Sequence, residues 1–219
     1  MKVRFVTLGK HRFIYAFSWH AALSLCDLLG RIELFGEENI PHEPCLIVGN
    51  HVSFLDPPAL AFYHDTPLCV IARDTLMQKG LWKRYFTALD AIPVKRGESG
   101  NLAAFKAVFA RLKEGKSIII FPEGTRSPDG ALQGGKAGAG LIALKANVPI
   151  VPIRTFGFED VLPRSNKIGS GSRITMVAGK PIYPKDIDPG KAHPERAQYA
   201  VDKMMEALAS IKNPRTFEV

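Results

Sequence analysis

The stretch "CLIVGNHVSFLDPP", Cys45 to Pro58, opens on an apolar run, breaks at Gly49, and then sets His51 and Asp56 five positions apart. The run is short, uninterrupted by charge and closed by a turn signal. It reads as a strand buried on both faces, the kind a parallel sheet requires. Similar runs recur at "LCVIA" (68–72), "AIPV" (91–94), "SIIIF" (117–121), "PIVPI" (149–153) and "RITMVAG" (173–179). Between them the pattern predicts helices over 57–64, 75–88, 101–113, 136–146 and 194–211. Asp56 before Pro57 has the form of an N-cap with proline at the first helical position, and Gly115 closes the 101–113 segment. In 75–88, Met77, Leu81, Trp82, Tyr85 and Phe86 recur at helical spacing beside Lys79, Lys83 and Arg84. Core packing is the expected use of that stripe, with membrane contact as the alternative. The alternation predicts an α/β fold with a mixed, largely parallel central sheet flanked by helices.

No internal repeat, low-complexity tract or long linker divides the 219 residues. The expected organisation is an N-terminal helical, membrane-associating arm over 1–35 and one folded domain over 36–219. Within the arm the uncharged run from Phe13 to Cys26 is shorter than the ~20 residues needed to span a bilayer, and Ser18, His20 and Ser24 interrupt it. With Lys2, Arg4, Lys10 and Arg12 before it, the segment fits an in-plane interfacial helix, or equally an amphipathic helix packed on the core. No convincing signal-peptide cleavage site follows.

Lys and Arg number 29 against 21 Asp and Glu, a formal charge of +8. That excess favours anionic partners such as phosphates and membrane surfaces. Nucleic acid is disfavoured, because the chain has no zinc spacing, no basic helix with heptads and no aromatic RNP-like strand. Cys26, Cys45 and Cys69 lack CxxC spacing and sit in apolar surroundings, so they read as buried free thiols in a reducing compartment.

His51 follows a buried strand, and catalytic groups collect at the carboxyl ends of strands in open α/β sheets. Five residues turn an ideal helix through about 500°, so His51 and Asp56 meet only if "HVSFLD" is a folded-back loop. Asp56 would then cap backbone N–H groups with one oxygen and hold the imidazole with the other, leaving the second ring nitrogen as a base. The pair alone decides little, since a chain with six histidines offers such a spacing by chance in roughly 0.4 of cases.

A second constellation, "IIIFPEGTRSPDG" (118–130), ends an apolar strand in Pro122, Glu123, Gly124, Thr125 and Arg126. An acid, a glycine-freed backbone, a hydroxyl and a guanidinium together suit a polyol phosphate, with Arg126 on the phosphate and Glu123 and Thr125 orienting hydroxyls. A tight turn with a surface salt bridge is the plainer reading. Lys95 and Arg96 close "AIPVKRG", and Lys136 stands among small residues in "GGKAGAG" at a helix start; both are candidate anion contacts. Walker A, GxGxxG, GxSxG and HExxH patterns are absent, which disfavours nucleotide hydrolysis, dinucleotide binding, a serine elbow and zinc hydrolysis, and no metal site is expected. A base without a protein nucleophile implies that the substrate supplies one.

Taken in order, "NHVSFLD", "IPVKRG", "FPEGTRS" and "VPIVPI", from Asn50 to Ile153, resemble the motifs of the glycerophospholipid acyltransferase family. The resemblance implies transfer of a fatty acyl group from acyl-CoA or acyl carrier protein, a co-substrate thioester with no further cofactor. The implied acceptor is the free hydroxyl of 1-acylglycerol-3-phosphate, giving phosphatidate at the cytoplasmic face of a membrane by a peripheral or monotopic enzyme. It makes His51 the general base and Asp56 its orienting partner, and it makes 36–219 a catalytic domain. Arg96 becomes a phosphate contact, Glu123 to Arg126 the acceptor loop, and Lys136 a basic position after it. Pro149 and Pro152 shape a pocket wall. Two positions depart from the family: Lys95 stands where an acid is common, and Gly135 where an aromatic is common. The alternatives are another lysophospholipid or a lyso-aminolipid as acceptor, a thioesterase, or a non-catalytic lipid-phosphate-binding module. Retention of both His51 and Asp56 argues against the last.

Overall fold

Each apolar run becomes a strand because its residues bury side chains alternately on two faces of one sheet. In the computed structural model, which describes Ser24 and residues 32–60, 68–78, 80–95, 102–162, 169 and 173–217, seven strands form that sheet. They are β1 (Ile32–Phe35), β2 (Leu46–Gly49), β3 (Leu68–Arg73), β4 (Ile92–Val94), β5 (Ser117–Ile120), β6 (Ile150–Phe156) and β7 (Ile174–Ala178), in the spatial order β1-β7-β6-β2-β5-β3-β4. All neighbours run parallel except β6 and β7. The α/β expectation therefore holds, with β6–β7 as the antiparallel element that makes the sheet mixed.

Leu46, Val48, Ile118, Ile120 and Ile150 join one buried cluster, and Ile47, Ile119, Val151 and Ile153 join the other. The first face is covered by α3 (Leu102–Lys113), α4 (Ala137–Ala146), α6 (Pro184–Ile187) and α7 (Arg196–Ser210), which supply Val108, Leu112, Ile142, Ile187, Met204 and Leu208. The second is covered by α1 (Asp56–Leu60) and α5 (Phe158–Val161), which supply Ala59, Leu60, Phe158 and Val161. Fully burying side chains of this size is worth roughly 1.5–3 kcal/mol each.

Three expectations change. Ile32–Phe35, assigned to the helical arm, is a strand paired with β7, so the sheet begins inside that segment; the rest of the arm, apart from helical Ser24, lies outside the described residues. The helix expected over 75–88 is broken into a 3-10 turn, Asp74–Met77, and α2, Gly80–Ala88, because Gly80 takes the left-handed conformation at φ +68°. Leu81, expected in a core-facing stripe, is 81% exposed. Among the described residues, no helix is long and apolar enough to cross a membrane.

The connectivity positions the site. From β2 the chain goes to β3 and β4 on one side, returns to insert β5 between β2 and β3, and then crosses to β6 on the other side of β2. The carboxyl ends of β2 and β5 therefore lie side by side where the winding changes direction, the place where open α/β sheets leave a crevice.

Candidate active site

Gly49 is the last residue of β2 and sits in a crowded place: a Cβ there would stand 2.6 Å from Leu60 Cδ1. Asn50 follows, 4% exposed, and its amide replaces a ladder rung to β6, accepting from Thr155 N–H at 2.8 Å and donating to Thr155 O at 3.0 Å. The chain then folds back as the sequence requires. Ser53 Oγ accepts the Leu55 N–H at 3.1 Å, while the Ser53 N–H donates to Asp56 Oδ2 at 2.8 Å, so two side chains hold the turn. Pro57 and Pro58 lie in the first turn of α1, where a missing N–H costs nothing.

Asp56 is wholly buried, and its Oδ2 also accepts the Val52 N–H at 2.7 Å and meets His51 Nδ1 at 2.9 Å. The imidazole-holding role assigned to Asp56 is present, whereas the N-cap expectation is corrected: Asp56 is itself the first residue of α1 and holds the loop before it. A single oxygen holds both ring and loop; Oδ1 has no partner. Burial pushes the Asp56 carboxyl above its ordinary value, and the bonds from His51, Ser53 and Val52 oppose that push. An ionised carboxylate only accepts, so Nδ1 is the donor in this contact and Nε2 is the nitrogen left to act on a ligand. The imidazole lies on the Phe121 ring, centroids 4.2 Å apart and planes 23° apart, with 19% of the side chain exposed.

The 121–127 loop closes over the same place. Its Glu123, 1% exposed, accepts the His51 N–H through Oε1 at 3.1 Å, and the Ser127 N–H donates to His51 O at 2.7 Å. Burial raises the Glu123 carboxyl to about 7, against the pull of the His51 N–H; the nearby Asp56 charge adds to the rise and the Gln133 N–H opposes it. Gly124 turns the loop at φ +68°, and the Lys136 side chain passes over it, so that a Cβ there would stand 3.2 Å from Nζ. Thr125 is half-buried. The Arg126 guanidinium stacks on Phe54 of the other loop, 3.6 Å from the ring centroid.

Of the candidate residues, His51, Asp56, Glu123, Gly124, Thr125, Arg126 and Lys136 are gathered on the two facing loops. Lys95 is not among them: it is exposed at the end of the edge strand β4, three strands from β2, about 14 Å across at the usual spacing. Arg96 lies outside the described residues. Two of the glycines around Lys136, Gly135 and Gly140, serve helix packing. A Cβ on Gly140 would stand 1.9 Å from Ala197 O, and one on Gly135 would stand 2.4 Å from Val201 Cγ2, so both let α4 and α7 pack closely. Sequence reasoning assigned no role to Asn50, Ser53, Phe54 or Phe121. Ser53 carried a readable signal, the S-x-x-D spacing; the partners of the other three are far away in sequence. Cys45 and Cys69 are buried thiols outside any disulfide, and burial pushes each up to about 12. Among the described residues, no group of His, Cys, Asp and Glu is arranged to hold a metal.

Among the described residues, a buried acid thus holds a histidine beside a glycine-containing loop that carries Arg126. The family described as Acyltransferase matches residues 31–155, more than half of the chain, and the chain belongs to that family. It is 32% identical over 182 residues to a chloroplastic 1-acyl-sn-glycerol-3-phosphate acyltransferase of Brassica napus, covering 81% of this chain and 52% of that one. A 1-acyl-sn-glycerol-3-phosphate acyltransferase of Pseudomonas aeruginosa is 28% identical over 185 residues, covering 83% and 70%. The crystal structure of the 1-acyl-sn-glycerophosphate acyltransferase PlsC from Thermotoga maritima matches with a TM-score of 0.67 at 26% identity, over 90% of this chain and 77% of that one. The chain spans about half the length of the plant relatives it matches.

Proposed function

We propose that the protein transfers a fatty acyl group from an acyl-CoA or acyl carrier protein thioester to the free hydroxyl of 1-acylglycerol-3-phosphate, giving phosphatidate. The observation that carries this reading is the His51 Nδ1 to Asp56 Oδ2 contact of 2.9 Å, held against a loop bearing Gly124, Thr125 and Arg126. Asp56 fixes the ring and stabilises the imidazolium, and His51 Nε2 takes the proton of the acceptor hydroxyl. The hydroxyl oxygen attacks the thioester carbonyl, the carbon–sulfur bond breaks, and the departing thiolate receives the proton from His51. No acyl-enzyme is needed. Arg126, aligned on Phe54, meets the acceptor phosphate together with Lys136 and Arg96, while Thr125 orients the glycerol.

The site opens toward a phospholipid surface in this reading. Phe54, Leu76, Leu81 and Leu102 are 53%, 42%, 81% and 63% exposed, and all lie on segments leaving the carboxyl ends of β2, β3 and β4. Exposed Arg73, Lys95 and Lys136 share that end. Apolar groups rimmed by cations suit an anionic leaflet, so the protein works peripherally at a membrane, on its cytoplasmic face, and draws the acceptor from the bilayer. The second reading has another lysophospholipid or a lyso-aminolipid as the acceptor, and an acceptor panel separates the two.

Purified protein incubated in liposomes with labelled lysophosphatidate and each donor should form phosphatidate. Absence of transfer with both donors would overturn the proposal, and free fatty acid released without acceptor would make the protein a thioesterase. His51→Ala should lower turnover by at least about 10²-fold while the fold persists.

A further inference from the structure

The register of the central strands runs past their ends. β2 and β5 pair Leu46 with Ile118 and Val48 with Ile120, a constant offset of 72 residues, and His51 and Glu123 stand at the same offset beyond the ladder. There a side chain takes over the work of a strand. His51 N–H donates to Glu123 Oε1 at 3.1 Å, and His51 O accepts the Ser127 N–H at 2.7 Å. Both main-chain polar groups of the histidine are thus held by the facing loop, whereas its ring has one hydrogen bond and one stacking contact. We infer that Glu123 is a positioning residue for His51: its carboxylate fixes the backbone from which the base projects, separately from any contact with the acceptor.

The cost of the arrangement argues for that use. A carboxyl at 1% exposure is expensive to bury, and the expense needs a return. A backbone N–H left without a partner at this depth would itself cost about 1–3 kcal/mol, and the strand's own ladder cannot supply one past Gly49. General-base catalysis then demands that Nε2 stay within hydrogen-bond reach of the acceptor hydroxyl, and small displacements of the supporting backbone cost rate steeply. Asp56 controls the rotation of the ring. Glu123 and Ser127 control where the ring starts.

The inference rests on the acyl-transfer reading for its kinetic test. Glu123→Met, similar in length and without an acceptor oxygen of its own, should lower kcat at least tenfold with KM for lysophosphatidate within twofold. Glu123→Gln, whose amide oxygen accepts the same N–H, should recover most of that kcat. A raised KM with unchanged kcat in both variants would overturn the inference and return Glu123 to acceptor binding. Should the methionine variant fail to fold, Glu123→Asp, one methylene shorter, should show the same kcat loss. Amide hydrogen exchange gives a readout independent of substrate. The His51 N–H should exchange at least tenfold faster in Glu123→Met or Glu123→Asp than in the wild type or Glu123→Gln, and equal protection in all four would overturn the inference. Wild-type protein that transfers nothing to lysophosphatidate would fault the acceptor assignment and leave the exchange test standing.

Discussion

At the amino ends of the strands, Asp90 lies among partners: it pairs with Lys116, takes Arg111 Nη2 on Oδ1 at 2.7 Å, and accepts the Cys69 thiol at 3.4 Å. Glu114 joins the cluster, 3.0 Å from both Arg111 and Lys116. At the carboxyl ends, Asp56 and Glu123 are more deeply buried, and Asp56 Oδ1 and Glu123 Oε2 have no partner. Burial pushes all three carboxyls up, but at Asp90 the bond from Lys116, its charge and that of Arg111 outweigh the push and bring the group below its ordinary value. At Asp56 and Glu123 the push wins. One end spends its charges on holding β3, β4, β5 and α3 together. The other keeps acids in a setting that raises their proton affinity, which is where titrating chemistry is found.

Activity should separate the two ends most widely. Asp56→Asn keeps the shape of the loop but presents an amide to the imidazole, and turnover should fall by about 10²–10⁴-fold. Asp90→Asn, at the far end of the sheet, should leave turnover within about twofold. Comparable losses in both, measured as phosphatidate formed per enzyme, would erase the functional distinction. Stability should differ next. Asp56→Ala strands the Val52 and Ser53 N–H groups in the interior and should cost about 2–4 kcal/mol in urea unfolding. Asp90→Ala should cost about 1 kcal/mol, because that cluster is partly solvated, and the loss should shrink at high salt.

The sheet was legible because buried parallel strands are written as short apolar runs, and six of the seven could be placed from such runs alone. The exception, Ile32–Phe35, alternates Ile32 and Leu34 with Glu33 at the edge of the sheet, and it adjoins an apolar segment that masks it. Gly80 carried the break in the helix expected over 75–88, but a glycine inside a helical pattern is also tolerated as a plain residue. In the site, residue identity and spacing pointed to His51 and Asp56. The contacts that seat them were not written locally. Asn50 finds Thr155 across 105 residues and His51 finds Glu123 across 72, distances fixed only when β2 is placed between β5 and β6. Gly135 and Gly140 near Lys136 show the reverse, part of a local pattern read as room for phosphate where the close neighbour is α7.

The smallest expected effect is also the most diagnostic, because the two ends should respond to pH with opposite signs. The Glu123 carboxyl is raised from 4.5 to about 7, so between those values the folded protein holds a proton that the unfolded chain has lost. Stability from this group is full below pH 4.5 and is lost as pH rises through 7. Asp56, raised by burial, leans the same way. Asp90 is lowered from 3.8, so its contribution is present above that pH and is lost as pH falls through the lowered value. Urea midpoints measured from pH 3 to 8 at constant ionic strength should therefore fall on both flanks. Glu123→Gln should flatten the neutral flank and leave the acid flank, whereas Asp90→Asn should reduce the acid flank and leave the neutral one. A Glu123→Gln curve parallel to the wild type between pH 4.5 and 7 would mean that the buried acid beside His51 carries no electrostatic cost, and the contrast between the two ends of the sheet would rest on Asp56 alone.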